Sequence, residues 1–363
     1  MSSAGVLRPA GSPAILLAMR IFLTEFLTGG GLSPRERLPG LLGEGQAMLI
    51  AAARDLGQLP GSSLVTTLAP EVTFPEELLW TVNRVGNPAD WLAAFDAGCL
   101  SCDATLVIAP ETGGLLASLV RRVKGLGRAA WNCRPAAIDL CADKLNLSQL
   151  LQKNGVPTIP AASVRWDHPP TTAQFRVVVK PRDGAGSQLT RRIETLAEWR
   201  ALAEEYATAP ELEPIVQPYV PGRALSVGAI FPLDARRAPI LLPIAEQRLS
   251  EDGRFSYLGG ELPADVSEDV VARVHAIVDQ AAKVVPGLRG YVGFDLLLPD
   301  ADPSTPLLVE INPRLTTSFV GYSGLCPVPL ASLWDNGDGR VPTWPARSIR
   351  FNAAGEILQD DRQ

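Results

Sequence analysis

Two short acidic segments carry the residue types that metal-assisted phosphoryl chemistry needs. One is Tyr291-Val292-Gly293-Phe294-Asp295-Leu296-Leu297-Leu298, and the other is Val309-Glu310-Ile311-Asn312-Pro313-Arg314. Both are rich in β-branched, aliphatic and aromatic residues, so both read as strands. Paired in one sheet, they would bring Asp295, Glu310 and the amide oxygen of Asn312 together. Glu310 and Asn312 are two apart and share a strand face. Oxygen-only ligands on a rigid sheet suit Mg²⁺, particularly where phosphates complete its octahedron. Arg314 follows two residues later, placed to hold an anion beside the metal.

Two lysines extend this reading. Lys144 lies in Asp143-Lys144-Leu145 on a helix expected over 136–154. Gly155 would close that helix, with Pro157 just beyond. Lys180 ends a Val-rich strand at 176–180, just before Pro181-Arg182-Asp183-Gly184-Ala185-Gly186-Ser187. A lysine at that position can reach phosphate oxygens that the loop's backbone N–H groups also cover. Taken singly, each lysine reads as a surface charge and a glycine loop is weak evidence.

The elements that must position these groups follow a regular order. From 20 to about 133, strands at 21–24, 64–68 and 104–109 alternate with helices at 45–56, 87–99 and 114–124. Such alternation predicts a parallel sheet covered on both faces, with ligand loops at the carboxyl ends of strands. Two loops stand there: Glu25-Phe26-Leu27-Thr28-Gly29-Gly30-Gly31 and Ala109-Pro110-Glu111-Thr112-Gly113-Gly114. Each reads equally as a ligand loop or as a glycine-rich turn. Downstream, a helix at 195–206 follows the phosphate-type loop in a small α+β unit. Strands at 215–219, 225–231 and 240–245 come next, with a hairpin turn at 234–239. A long helix at 267–285 precedes the acidic strands, and the polar, Pro-rich stretch after Trp334 carries no readable signal.

Composition narrows the class. The 363 residues are 46% hydrophobic with 32 Gly and 32 Pro, which implies a globular protein with many tight turns. A net charge of −6 without like-charge blocks argues against nucleic acid or an anionic membrane as partner. Five cysteines with one close pair, Cys99 and Cys102, do not make a zinc site, and two histidines do not build a His-based centre. Residues 12–27 are signal-like until Arg20 and Glu25 interrupt them, and no other stretch is long enough to span a bilayer. The expectation is a cytoplasmic protein with a loose extension at 1–18.

In order, Asp-Lys at 143–144, Val-Lys-Pro with its glycine loop, Val216-Gln217-Pro218-Tyr219-Val220-Pro221-Gly222, Gly-Phe-Asp and Glu-Ile-Asn-Pro-Arg resemble the ATP-grasp superfamily. The resemblance spans 19 to about 324. It implies a mixed α/β and α+β architecture, in which two α+β subdomains clasp ATP behind a parallel-sheet α/β domain. The implied units are 19–135 for the preceding domain, 136–213 for a small lid, 214–335 for a large subdomain and 336–363 for a tail. Residue by residue, it assigns Lys144, Lys180 and the loop Gly184, Ala185, Gly186, Ser187 to ATP phosphates. Gln217, Tyr219 and Val220 fall on the adenine-recognising hinge. Asp295, Glu310 and Asn312 fall on the Mg²⁺ ligands, with Mn²⁺ as an alternative. Arg314 would bind the transferring phosphate or acyl group, and Arg248 of Glu246-Gln247-Arg248 is a second candidate for its negative oxygens. Where many relatives carry an acid for the ribose, this chain has Arg223-Ala224-Leu225-Ser226, so the ribose contact is left unassigned.

The Glu25–Gly31 loop, Ile108-Ala109-Pro110-Glu111-Thr112 and Asn312-Pro313-Arg314-Leu315-Thr316-Thr317-Ser318 are further similar to the tyramine–glutamate ligase subgroup of methanofuran biosynthesis. That likeness implies L-glutamate and an aromatic amine, tyramine or tyrosine, as substrates. It points to Glu25, Thr28, Gly29, Gly30, Thr316, Thr317 and Ser318 as substrate-side residues. The three hydroxyls read equally as groups that satisfy a turn. A homodimer is compatible with the family. Another amino-acid or peptide ligase, a phosphotransferase and a non-catalytic ATP binder remain open alternatives.

Overall fold

The computed structural model describes residues 19–33, 39–78, 80–171, 174–184, 186–209, 211–234, 237–334 and 341–360. The expectations for 1–18, for Ala185 and for Ala235 and Arg236 in the hairpin turn lie outside the described residues.

A five-stranded parallel sheet opens the chain. Its order is β3-β2-β1-β4-β5, from β1 (Arg20–Glu25), β2 (Ser63–Leu68), β3 (Trp80–Arg84), β4 (Ala104–Ile108) and β5 (Ala129–Ala130). Helix α1 (Pro39–Gly57) and helices α2 (Pro88–Leu100) and α3 (Leu115–Gly125) enclose it. Strand β1 shows why both faces are covered. Phe22 packs with Trp91 and Phe95 of α2, whereas Ile21 and Leu23 pack with Met48, Leu49 and Ala52 of α1. A strand buried on both sides is continuously apolar, as Ile21-Phe22-Leu23 is.

The expected continuous helix at 136–154 is two helices. Helix α4 (Pro135–Ala142) ends at Asp143, and α5 (Lys144–Lys153) restarts there. Asp143 leaves helical geometry at φ −83° and ψ 88°, and its carboxylate accepts the Asn146 N–H at 3.0 Å as an N-cap. Aspartate favours that role because its side chain competes with the helix ladder. Arg182 then clamps the same carboxylate through Nε at 2.8 Å and a terminal nitrogen at 2.7 Å.

A four-stranded antiparallel sheet follows, ordered β6-β9-β7-β8, from β6 (Ala162–Ser163), β7 (Val177–Pro181), β8 (Arg191–Ile193) and β9 (Pro214–Pro218). Helix α6 (Leu196–Ala207) packs on it, opened by a capping box between Thr195 and Glu198. Val177, Val179, Ile193, Trp199, Leu202 and Tyr206 form a hydrophobic cluster separate from the two larger ones.

The largest sheet has seven antiparallel strands in the order β14-β13-β10-β11-β12-β15-β16. They are β10 (Gly222–Phe231), β11 (Ile240–Leu249), β12 (Tyr257–Leu262), β13 (Gly290–Pro299), β14 (Leu307–Asn312), β15 (Ile349–Asn352) and β16 (Ile357–Asp360). On β13 the even residues Val292, Phe294, Leu296 and Leu298 bury with Val274 and Val278 of α7 (Glu268–Val284). Period-two alternation therefore turns Tyr291, Gly293 and Asp295 to the opposite face. There, Tyr291 meets Phe319 and Tyr322 of α8 (Ser318–Leu325). The Pro-rich stretch beyond Trp334, which carried no readable signal in the sequence, contributes the two strands β15 and β16. Among the described residues, no helix is long and apolar enough to cross a membrane.

Candidate active site

A cleft of about 1080 Å³ lies between the four-stranded and seven-stranded sheets, with α1 of the parallel-sheet region at one end. Strands β13 and β14 pair so that Asp295 stands directly opposite Glu310, while Gly293 faces Asn312. The Asn312 amide donates to Asp295 Oδ2 at 2.8 Å, and Gln247 on β11 donates to Asp295 Oδ1 at 2.9 Å. Burial first, and then the Glu310 charge, push the Asp295 carboxyl up to about 8. Burial works the same way on Glu310, but Lys144, Lys180 and Arg314 outweigh it and hold that carboxyl down. Two facing buried carboxylates resist joint ionisation unless a proton or a cation sits between them. The donor set, two carboxylates and an amide oxygen, suits a hard divalent cation. Among the described residues no cluster of three or more His, Cys, Asp or Glu side chains could hold a metal.

Lys180, next to last in β7, is almost fully buried, at 8% exposed. Burial lowers its pKa, Lys144 adds to that, and the Glu310 and Asp295 charges oppose it. Lys144 begins α5, and its Nζ donates to the Gly184 carbonyl at 2.6 Å. The helix break at Asp143 produces this geometry, because the Lys144 N–H also donates to the Arg182 carbonyl at 3.0 Å. The glycine loop is held from two sides. Asp183 Oδ2 accepts the Gly113 N–H at 2.8 Å, and Ser187 Oγ donates to the Phe255 carbonyl at 2.8 Å. Gly113 has φ 63°, a left-handed conformation that favours glycine, and so presents its N–H to the loop.

At the hinge, the Gln217 side chain donates to the Ile159 carbonyl at 3.1 Å, and the Tyr219 N–H donates to the Arg176 carbonyl at 2.8 Å. Both of these groups serve the fold, although Gln217, Tyr219 and Val220 all line the cleft. Arg192 lies 5.2 Å from the Tyr219 ring centroid. Arg223, at the place where an acid is common, pairs with Glu246 of β11 at 2.5 Å. Arg248 lines the cleft and is solvent-exposed.

Arg314 connects the sheets to the parallel-sheet region. Its Nε donates to Glu111 Oε2 at 2.9 Å and one terminal nitrogen to the Leu315 carbonyl at 3.0 Å. The charges of Glu111, Glu310 and Glu44 hold its pKa up against the opposing effect of burial. Thr316, Thr317 and Ser318 line the cleft. Thr316 lies 3.0 Å from the Tyr291 hydroxyl and Ser318 3.2 Å from the Ser226 hydroxyl, so these two also anchor the start of α8.

The glycine loop after β1 differs from the expectation of a substrate loop. Glu25, Thr28, Gly29 and Gly30 are buried and do not line the cleft. Glu25 Oε2 accepts the Thr28 N–H and hydroxyl, each at 2.7 Å, so the carboxylate folds back on its own loop. Gly45 of α1 presses against it, because a Cβ there would sit 2.7 Å from the carboxyl carbon. The acid that does face the cleft from this region is Glu44. Sequence reasoning passed over Glu44, Gln247 and Tyr257, and it placed Glu111 in a candidate ligand loop without a role of its own. Their only signal was membership of an amphipathic helix, a loop or a strand.

Comparison with known proteins gives the family. Residues 141–318 match the ATP-grasp domain family, and 62–138 match the pre ATP-grasp 3 domain. The chain belongs to the ATP-grasp superfamily. It is 27% identical over 224 residues to a tyramine–L-glutamate ligase of Methanocaldococcus fervens, covering 60% of this chain and 61% of that protein. It is also 29% identical over 202 residues to a D-alanine–D-alanine ligase of Ralstonia pickettii, covering 53% and 58%. The chain thus spans about three fifths of the length of these curated relatives. A crystal structure from Archaeoglobus fulgidus assigned to the ATP-grasp superfamily superposes with a TM-score of 0.68 at 24% identity, covering 92% of each chain.

Proposed function

We propose that this protein is an ATP-dependent, ADP-forming carboxylate–amine ligase that joins L-glutamate to tyramine or tyrosine. The facing pair Asp295 and Glu310, with Lys144, Lys180 and Arg314 around it in one cleft, carries the reading. Similarity to tyramine–L-glutamate ligases supports the choice of substrates.

In this account Lys144, Lys180 and the main chain of the 184–187 loop bind ATP phosphates, and the Gln217–Val220 hinge holds adenine. Mg²⁺, or Mn²⁺ in its place, held by Asp295, Glu310 and the Asn312 amide oxygen would neutralise phosphate charge during transfer. A substrate carboxylate oxygen takes the γ-phosphoryl group, giving an acyl phosphate and ADP. The amine nitrogen then attacks the acyl carbon, the carbon–oxygen bond breaks, and inorganic phosphate leaves with that oxygen. Arg314, with Arg248, stabilises the negative oxygens of both steps. The loop tethered by Asp183 and Ser187 covers the phosphates and excludes water that would hydrolyse the acyl phosphate.

The test is ADP release by purified protein with Mg²⁺, ATP and L-glutamate, adding tyramine, tyrosine or neither. Amine-dependent ADP release with a matching amide mass supports the reading. Full release without amine would indicate a phosphotransferase. Release with D-alanine alone would move the substrate assignment to another amino-acid ligase.

A further inference from the structure

Both oxygens of Asp295 are held by side-chain amides. Asn312 Nδ2 donates to Oδ2 at 2.8 Å, and Gln247 Nε2 donates to Oδ1 at 2.9 Å. Asn312 stands on β14, next to β13, so its reach is short. Gln247 stands on β11, and β10 lies between β11 and β13. Leu225 of β10 pairs with Glu246 on one side and with Leu296 on the other, so Gln247 and Asp295 lie on opposite sides of that row. Two strand spacings and a two-residue stagger separate their Cα atoms by about 12 Å. Alternation turns both side chains to the face opposite Leu225 and Leu296. The β10 residues on that face are Ala224 and Ser226, both small, so an extended glutamine can lie across the strand.

The last torsion of an aspartate side chain is broad, so a free carboxyl group turns easily. One donor restrains that rotation in part. Donors from β11 and β14 on the two oxygens fix the plane of the Asp295 carboxylate. Gln247 is also neutral. A lysine or arginine in its place would offset the charge that draws a cation to Asp295 and Glu310, whereas an amide leaves that charge intact. Partners that orient a metal ligand in this way typically change metal affinity by about 10- to 100-fold when they are removed. Gln247 lines the cleft together with Asp295, Glu310 and Asn312.

We propose that Gln247 sets the orientation of Asp295 for the divalent cation. It is a positioning residue, and it acts on metal affinity through Asp295 without touching the metal or the nucleotide. The inference rests on the metal-dependent ligase reading above. It adds a residue from β11, beyond the two acidic strands that supply the ligands.

The experiment measures Mn²⁺ binding from the loss of the free-ion EPR signal, with and without a non-hydrolysable ATP analogue. It compares wild type, Gln247→Met, Gln247→Asn, Asp295→Asn and the double variant Gln247→Met/Asp295→Asn. Gln247→Met keeps the length of the side chain and removes the donor, so Mn²⁺ affinity should fall roughly 10- to 100-fold. Gln247→Asn keeps the donor on a stem too short to cross β10, and it should lose as much. In the Asp295→Asn background, Gln247→Met should change the affinity by less than about twofold, because the effect runs through Asp295. Affinity for the analogue without metal, the control for an intact fold, stays within about twofold of wild type in the Gln247 variants. Wild-type Mn²⁺ affinity in Gln247→Met or Gln247→Asn overturns the inference and leaves the metal assignment standing. An equal loss with Asp295 present or replaced does the same. If wild type takes up no Mn²⁺ beyond what the analogue binds in solution, the metal assignment itself fails and the inference fails with it.

Discussion

Replacing Asp143 by Ala tests the helix break that brings Lys144 to the glycine loop. The substitution removes two interactions. The first is the N-cap bond to Asn146, and caps of this kind contribute about 1 kcal/mol. The second is the two-pronged bond with Arg182, whose partners are 29% and 24% exposed, so solvent screening limits it to about 1 kcal/mol. Arg182 keeps a partner in Glu213 at 2.9 Å, which argues against a larger loss. The expected total is about 2 kcal/mol, read from the midpoint of urea unfolding relative to wild type. Asp143→Asn keeps an acceptor for the cap and should lose about half of that, about 1 kcal/mol. Because Lys144 is the first residue of α5, Asp143→Ala should also raise KM for ATP by roughly 5- to 10-fold. Stability within about 0.5 kcal/mol of wild type, together with an unchanged ATP KM, would refute the argument that this cap and clamp position the lysine.

Two further outcomes follow from buried carboxylates. Glu111→Ala leaves Arg314 buried with its closest counter-charge gone, which should cost about 2–3 kcal/mol, below the range for a fully dry pair because Glu44 and Glu310 remain; urea unfolding measures it, and a loss under about 0.5 kcal/mol would contradict it. Asp55 accepts the Leu330 and Ala331 N–H groups at 2.7 and 2.8 Å, yet burial raises its carboxyl from the ordinary 3.8 to about 6. Its raised folded value means that stability is favoured below pH 3.8 and lost as pH rises through about 6. The difference is about 2 kcal/mol between pH 4 and 7, and it should vanish from the pH profile of Asp55→Asn.

The parts of the site built from regular strands were legible in the sequence. The alternation in Tyr291–Leu298 turns Asp295 away from the apolar face, and the two-residue step from Glu310 to Asn312 keeps both on one side. Lys180 was equally readable, since Val177–Pro181 is a short β-branched run that ends at a glycine loop. What escaped depends on distant partners. Asp143 breaks its helix because Arg182, 39 residues away, clamps it. Glu25 and Glu44 both belong to segments near the first strand, and the hydrogen bonds from Thr28 together with the packing of Gly45 decide that Glu25 turns inward. Helix α8 contains Gly321 and Gly324, which lower its propensity, and it forms because it packs on α1 and on β15. Strand β12 carries adjacent glycines for a related reason, as a Cβ at Gly259 would lie 2.1 Å from the Phe351 carbonyl oxygen.

The central claim is transfer of the γ-phosphoryl group to a substrate carboxylate. It is tested most directly by following oxygen from L-glutamate labelled with ¹⁸O in its carboxylates, in the presence of ATP and the aromatic amine. An acyl phosphate route delivers one labelled oxygen to each inorganic phosphate, seen by mass spectrometry or by the isotope shift in phosphorus NMR. Unlabelled phosphate released in step with amide formation would contradict the account.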